Sequence, residues 1–329
     1  MTEGPQLLAP DDPSRAAGRP RSGRVRPDGR RTLQLVLATL WLLDGVLQMQ
    51  AYFFTRAFGT QMITRSAEGN PPVIARSILW SGRTIGHHPL EINALFALVQ
   101  VGIGLGVAWR RSTRVALAVS VVWSLGVWWV GEGFGGVLSG AADPINGAPG
   151  AVILYALVAV LLWPTDRPGP RPSFVAARAV GPAVAKALWS VLWGSLALFA
   201  LLGANRSARG LHDLIIGQTD GEPSWVVWID RTSSSLVDHH GLGYSVLLAV
   251  VLVAVALGVY LPPAWANAAV VLSIVVGLLF WVVGQDFGEL FTNGATDVNS
   301  GPLLILLGVA YWTTPAPARS GAVPSVAGA

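Results

Sequence analysis

The stretch HHPLEINALFALVQVGIGLGV at 87–107 recurs as HHGLGYSVLLAVVLVAVALGV at 239–259, and the recurrence extends well beyond these segments. Trp41 and Trp193 each stand 46 residues ahead of their histidine pair. Glu68-Gly69-Asn70-Pro71 answers to Asp220-Gly221-Glu222-Pro223 at the same offset of 152 residues. After a one-residue adjustment, Gly131-Glu132-Gly133-Phe134-Gly135 aligns with Gly284-Gln285-Asp286-Phe287-Gly288, and Asn146…Pro149 with Asn299…Pro302. The pattern reads as two tandem copies of one unit.

Composition places that unit in a bilayer. Of 329 residues, 52% are hydrophobic and 12% charged, the balance of a polytopic membrane chain. With no cysteine, disulfides, thiolate metal sites, cysteine nucleophiles and CxxCH haem attachment are excluded. Lys186 is the single lysine, and that arginine bias, with abundant Ala, Gly and Val, suggests a high-GC bacterial genome. Nothing interleaves basic and aromatic residues as a nucleic-acid groove would, so nucleic acid is not an expected partner.

A spanning helix needs ~20 mostly apolar residues. Eight segments fit or nearly fit: 33–55, 89–109, 113–131, 149–164, 187–204, 241–261, 264–284 and 301–314, the fourth and eighth being short. The expected fold is all-α, with eight transmembrane helices in two four-helix repeats, 33–164 and 185–316. A cytoplasmic linker covers 165–184. Polar, Pro- and Gly-rich tails at 1–32 and 317–329 lack apolar periodicity and read as disordered. Arg30-Arg31 before an apolar run looks like a twin-arginine signal, but the run is too long and lacks a cleavage site, so a retained first span is expected.

Cytoplasmic segments carry the excess of Arg and Lys. An inside N-terminus puts fifteen of the 22 basic residues in the cytoplasm. An even number of spans per unit gives both copies one orientation, a parallel repeat in a bacterial plasma membrane with both termini inside. The apolar, tryptophan-bearing segments 72–80 and 225–229 suit the headgroup boundary and are expected to roof their own units.

This orientation puts every histidine on the outer side. His87, His88, His239 and His240, with Glu132, Asp286 and Glu289, are the candidate ligand-binding residues of an outer cleft. A divalent metal, a quinone carbonyl or a haem are the candidate cofactors. The alternative for the histidine pairs is structural: His88 precedes Pro89, a favoured first helical residue, and Glu91 complements the helix dipole. In the glycine-rich motifs, Phe134 and Phe287 are expected to act as wedges where glycines let backbone pack closely. Asp286 and Glu289 would share a face if the preceding helix continues. Asp44, near the middle of the first span, has Gln48 one turn later and Gln100 on the second span. An ionisable group at that depth usually faces a cavity or a partner. Asp44 either binds a proton or a polar ligand, or is a protonated acid hydrogen-bonded to Gln48 or Gln100. Leu196 takes its place in the second copy, so Asp44 is not required by the common fold. No HExxH, Walker loop, serine triad order or interrupted helix is evident. Asn205-Arg206-Ser207 matches a glycosylation sequon, a pattern common by chance.

The run Glu91-Ile92-Asn93-Ala94-Leu95, Gly102-Ile103-Gly104-Leu105-Gly106 and Trp109-Arg110-Arg111-Ser112-Thr113-Arg114 resembles the DoxX-like family of small four-helix membrane proteins. There, an acidic residue opens the second helix, and a Gly-rich run and a short basic turn follow. The second copy departs, with Gly243 in place of Glu91 and Pro262-Pro263 in place of the basic turn. The resemblance implies a fused DoxX-like pair and an association with membrane redox chemistry, through a quinone or a membrane or extracytoplasmic oxidoreductase. The leading expectation is a non-catalytic accessory component of such a system, in contact with the lipid bilayer. A small-solute transporter or exporter using Asp44, and an outer-face metal-binding protein, are the alternatives.

Overall fold

The computed structural model describes residues 28–165 and 172–314. Of the expected disordered tails and the linker, residues 1–27, 166–171 and 317–329 lie outside the described residues. The described chain is helical, without a strand. Its long helices are α1 (Gly29–Leu47), α2 (Pro72–His87), α3 (Pro89–Ala108), α4 (Thr113–Val130) and α5 (Ala151–Leu161). A short α6 (Ala177–Val180) leads into α7 (Pro182–Phe199). Then come α8 (Gly210–Ile216), α9 (Ser224–Val237), α10 (Gly241–Gly258), α11 (Pro263–Val283) and α12 (Ser300–Ala310).

Proline sets many of the starts. Pro72, Pro89, Pro182 and Pro263 each begin a helix, where the missing N–H has no intrahelical partner to lose. His88 closes α2 and opens α3 in one residue. Asp28 caps α1 by accepting from the Arg30 N–H at 3.3 Å, so the first helix begins at Gly29, earlier than the expected tail boundary. Inside that helix Arg31 donates to the Val107 carbonyl at 2.9 Å, and Gln34 to the Leu162 carbonyl at 2.9 Å. These side chains satisfy carbonyls that the ends of α3 and α5 leave open.

Among the described residues five helices are long and apolar enough to cross a membrane: α3, α4, α7, α10 and α11. Much of their surface is exposed yet apolar, as with Leu98, Val122, Val250 and Leu279. An apolar surface that wide suits lipid rather than water. The length of α1 is also adequate, but it carries Arg30, Arg31 and Asp44. It also stops at Leu47, short of the expected 55, and gives way to a 3-10 turn at Ala51–Phe54 and a π-helical turn at Phe58–Ile63.

Helices α5 and α12 have 11 residues each, about 16 Å of rise against a hydrocarbon core of about 30 Å. The segments 131–150 and 284–299 that precede them are irregular turns and loops. Helix α1 packs on α3, α3 on α4 and α4 on α5; α7 packs on α10, α10 on α11 and α11 on α12. Helix α5 lies against α12, and one core runs through both halves, from Trp41 and Tyr155 to Trp189 and Leu307. A smaller core of Phe53, Phe58, Ile78 and Ile85 sits beneath α2.

Candidate functional site

The short α5 leaves room beside it. A cavity of about 1120 Å³ lies among α1, α2, α3, α4 and the 131–150 segment. Its walls are apolar and aromatic, with Phe96 and Trp123 edge to face at 5.3 Å. Trp80, Val119 and Val122 line it while also being largely exposed on the apolar outer surface, Val122 at 72%. The cavity is therefore open rather than sealed, with apolar side chains at its exposed part.

The floor is acidic. Asp44 on α1 is 1% exposed, and its Oδ1 has no hydrogen-bond partner. The Tyr155 hydroxyl on α5 interacts with that carboxyl without completing a hydrogen bond. Gln48, one turn along α1, does not serve Asp44. Its amide donates to Asn93 Oδ1, and Asn93 returns a bond to the Gln48 carbonyl at 2.9 Å. Gln100 Oε1 faces the cavity without a partner. At the offset of 152 the second half has Leu196, Ala200 and Leu252, all buried, where Asp44, Gln48 and Gln100 stand. Apolar side chains fill there what is polar here.

Glu132 follows α4 and reaches the start of α5, where Oε1 accepts from the Val152 N–H at 3.2 Å. A carboxylate is favoured at such a helix start. The approach depends on Gly150, whose φ is +116° and whose added Cβ would run into the Glu132 carboxyl. Burial, and then the charge of Asp297, push Glu132 up to about 8. Asp297 comes from the far half, just before α12, and accepts from the Asn299 N–H at 2.7 Å. Burial raises it as well. Asp143 completes the polar rim: it accepts from the Ile145 N–H at 2.8 Å and from Asn205, and burial again raises it above the usual carboxylate range. Asn205 is 1% exposed, which removes its sequon from reach of a modifying enzyme.

The structure does not gather the expected outer-cleft residues into one place. His87, His88, His239 and His240 are exposed at helix junctions and none lines the cavity. His88 and His240 flank the starts of α3 and α10. Among the described residues no three His, Asp or Glu side chains converge as metal ligands. Asp286 and Glu289 do not share a helical face, because α11 ends at Val283 and the chain turns left-handed at Asp286, Phe287 and Glu289. Asp286 instead meets Asp230 of α9. Both are buried and neither has another hydrogen-bond partner; burial, and for Asp286 then the neighbouring Asp230 charge, raise both carboxyls above the usual range. Burial, then the charges of Glu289 and Asp230, raise nearby Glu222 to about 7. The sequence reading missed Asp297, Asn93 and the Asp230–Asp286 contact; Asn93, a buried amide in the first turn of an apolar helix, was the one visible signal.

Among the described residues, five helices apolar enough to span a bilayer, packed around an open cavity, define the class as a helical membrane protein with a ligand-sized pocket. No family model, no curated protein and no solved structure matches the chain.

Proposed function

We propose that this chain is a multi-pass bacterial plasma-membrane protein that holds a lipid-soluble ligand in its first half, as a non-catalytic partner of a membrane redox system. The observation that carries the ligand half of this reading is an open, largely apolar cavity with Trp80, Val119 and Val122 exposed beside it; in a bilayer that side would give a molecule dissolved in lipid a path to the cavity without crossing water. The redox half rests on the DoxX-like resemblance. In this reading the protein has eight spans as two parallel-related four-helix units, with both termini cytoplasmic. Helices α5 and α12 complete each unit as half-length spans, and the loops that precede them are partly buried against the bundle. Support for a duplicated unit comes from the matching packing order of the halves and from one uncommon feature. Phe134 and Phe287, at corresponding positions, both take left-handed backbone, φ 62° and φ 59°. Each wedges among aromatics, Phe134 at 4.9 Å from Trp128 and Phe287 at 5.3 Å from Trp281.

The test uses the cavity's own fluorophores, Trp41, Trp80 and Trp123. Purified protein in lipid nanodiscs, titrated with a short-chain quinone and with other lipophiles, gives saturable quenching in the wild type. Gly126 lines the cavity and an added Cβ there meets open space, so Gly126→Leu obstructs the pocket without a backbone collision. Quenching that is absent in the wild type, or unchanged in Gly126→Leu, rejects the binding role. Cross-linking in native membranes that recovers no oxidoreductase rejects the accessory role.

A small-solute transporter is the second reading, favoured by the open Asp44 oxygen at the cavity floor. It requires pH-dependent flux in proteoliposomes that Asp44→Asn abolishes.

A further inference from the structure

Resting on that binding role, we infer that the cavity selects a lipophilic cation, an apolar chain or ring system with a positively charged head, and admits it in exchange for a proton. The polar groups facing the cavity are four carboxyls, the amides of Gln48, Gln100, Asn146 and Asn299, and the hydroxyls of Ser81, Thr84 and Thr296. No Arg, Lys or His is among its lining residues in the described structure. An anionic head would meet uncompensated carboxylates. A neutral carbonyl could draw on the remaining amide and hydroxyl donors and on a protonated acid, but it would bring no counter-charge to the carboxyls. The buried atoms that lack a partner are acceptors: Asp44 Oδ1, Glu132 Oε2 and Gln100 Oε1. The size and walls set the rest of the ligand, since about 1120 Å³ with Trp41, Phe96 and Trp123 around it accommodates a bulky apolar body.

The exchange follows from the energetics of the site. Four carboxylates without a counter-charge in an apolar enclosure cannot all be ionised when the cavity is empty. The titratable groups that face one another are Asp44 from α1, Tyr155 from α5, Glu132 after α4, Asp143 in the following loop and Asp297 ahead of α12. Helices α2 and α3 and the π-helical turn contribute none. A cation entering beside a protonated carboxyl leaves the site neutral only if one O–H bond breaks and its proton goes to bulk water, the carboxylate becoming the counter-ion. The raised values of Glu132 and Asp297 fit this competition. A carbonyl ligand has the opposite requirement, because it needs the acid to keep its proton and donate it.

The sign of the pH dependence separates the two chemistries. The probes are dodecyltrimethylammonium, whose charge does not titrate, decyl-ubiquinone and dodecanoate, each titrated into wild-type nanodiscs by tryptophan quenching. The cation is expected to bind with affinity rising up to about tenfold per pH unit between pH 6 and 8 and flattening above, with one proton released per cation in weakly buffered solution. Asp44→Asn is expected to weaken it at least tenfold. Asp297→Asn, in a loop, is expected to weaken it while leaving the helices intact, should the α1 variant fail to fold. Binding of the quinone or the anion in preference to the cation, or cation binding without proton release, overturns the inference and leaves the lipid-soluble ligand standing. If none of the three quenches, the binding role falls as well.

Discussion

Replacing Glu132 by Gln should make the protein more stable at alkaline pH and leave it unchanged at acid pH. The amide fits the geometry, since Gln285 in the second half already accepts from the Gly301 N–H at 3.0 Å beside the start of α12. What changes is titration. Glu132 has an ordinary value of 4.5 and sits at about 8 in the folded protein, first because it is buried and then because Asp297 is close. Below pH 4.5 the group is protonated folded and unfolded, and contributes no difference. Between 4.5 and 8 the unfolded chain ionises while the folded one holds its proton, so stability falls by about 1.4 kcal/mol per pH unit, ~5 kcal/mol in all. Above 8 the loss is constant. Water entering through the open side of the cavity screens the carboxylate, so a gap of ~2 kcal/mol at pH 8 is the size to look for. Thermal unfolding in detergent across pH 4.5 to 9 measures it: the melting temperatures of wild type and Glu132→Gln should coincide at the acid end and diverge as pH rises. Parallel curves would refute the placement of Glu132 as a buried acid.

Two further outcomes follow from the geometry. Gly150→Ala forces a side chain onto φ +116° and into the Glu132 carboxyl, costing ~1–3 kcal/mol; adding Glu132→Ala should recover part of the lost melting temperature, and strictly additive losses would argue against the collision. The chain has no cysteine, so single cysteines can report sidedness without background. An impermeant maleimide should label His88→Cys on intact cells and Arg111→Cys only after permeabilisation, and the reverse pattern would invert the proposed topology.

What could be read from the sequence was mostly local. Proline at 89 and the histidine before it at 88 marked a helix start that the structure keeps. Asp44 stood out because charge is costly in the middle of an apolar span, Glu132 because it sits in a glycine-rich motif at a helix end, and both lie at the cavity. Asp297 could not be paired with them, since its approach depends on how α12 meets α1 and α5, a contact between distant parts of the chain. The lengths of α5 and α12 misled for a different reason. Residues 149–164 and 301–314 are apolar enough to extend a helix, but Gly150 at φ +116° holds the start of α5 back to Ala151, and the two helices stop at Leu161 and Ala310, three and four residues short of the expected ends. A shared face for Asp286 and Glu289 was conditional on the helix continuing past 284, and left-handed backbone at Asp286, Phe287 and Glu289 ends that possibility.

The two 11-residue helices have an electrical consequence. In the proposed embedding they stand back to back where ordered hydrocarbon-spanning structure is only half as deep as elsewhere, and an aqueous path would shorten the insulating layer at that spot. A membrane voltage would then drop steeply across the few ångströms around Asp44 and Glu132. Full transit of one charge at 100 mV is worth about 2.3 kcal/mol, so the resting potential itself would help set how charge is distributed on the cavity floor.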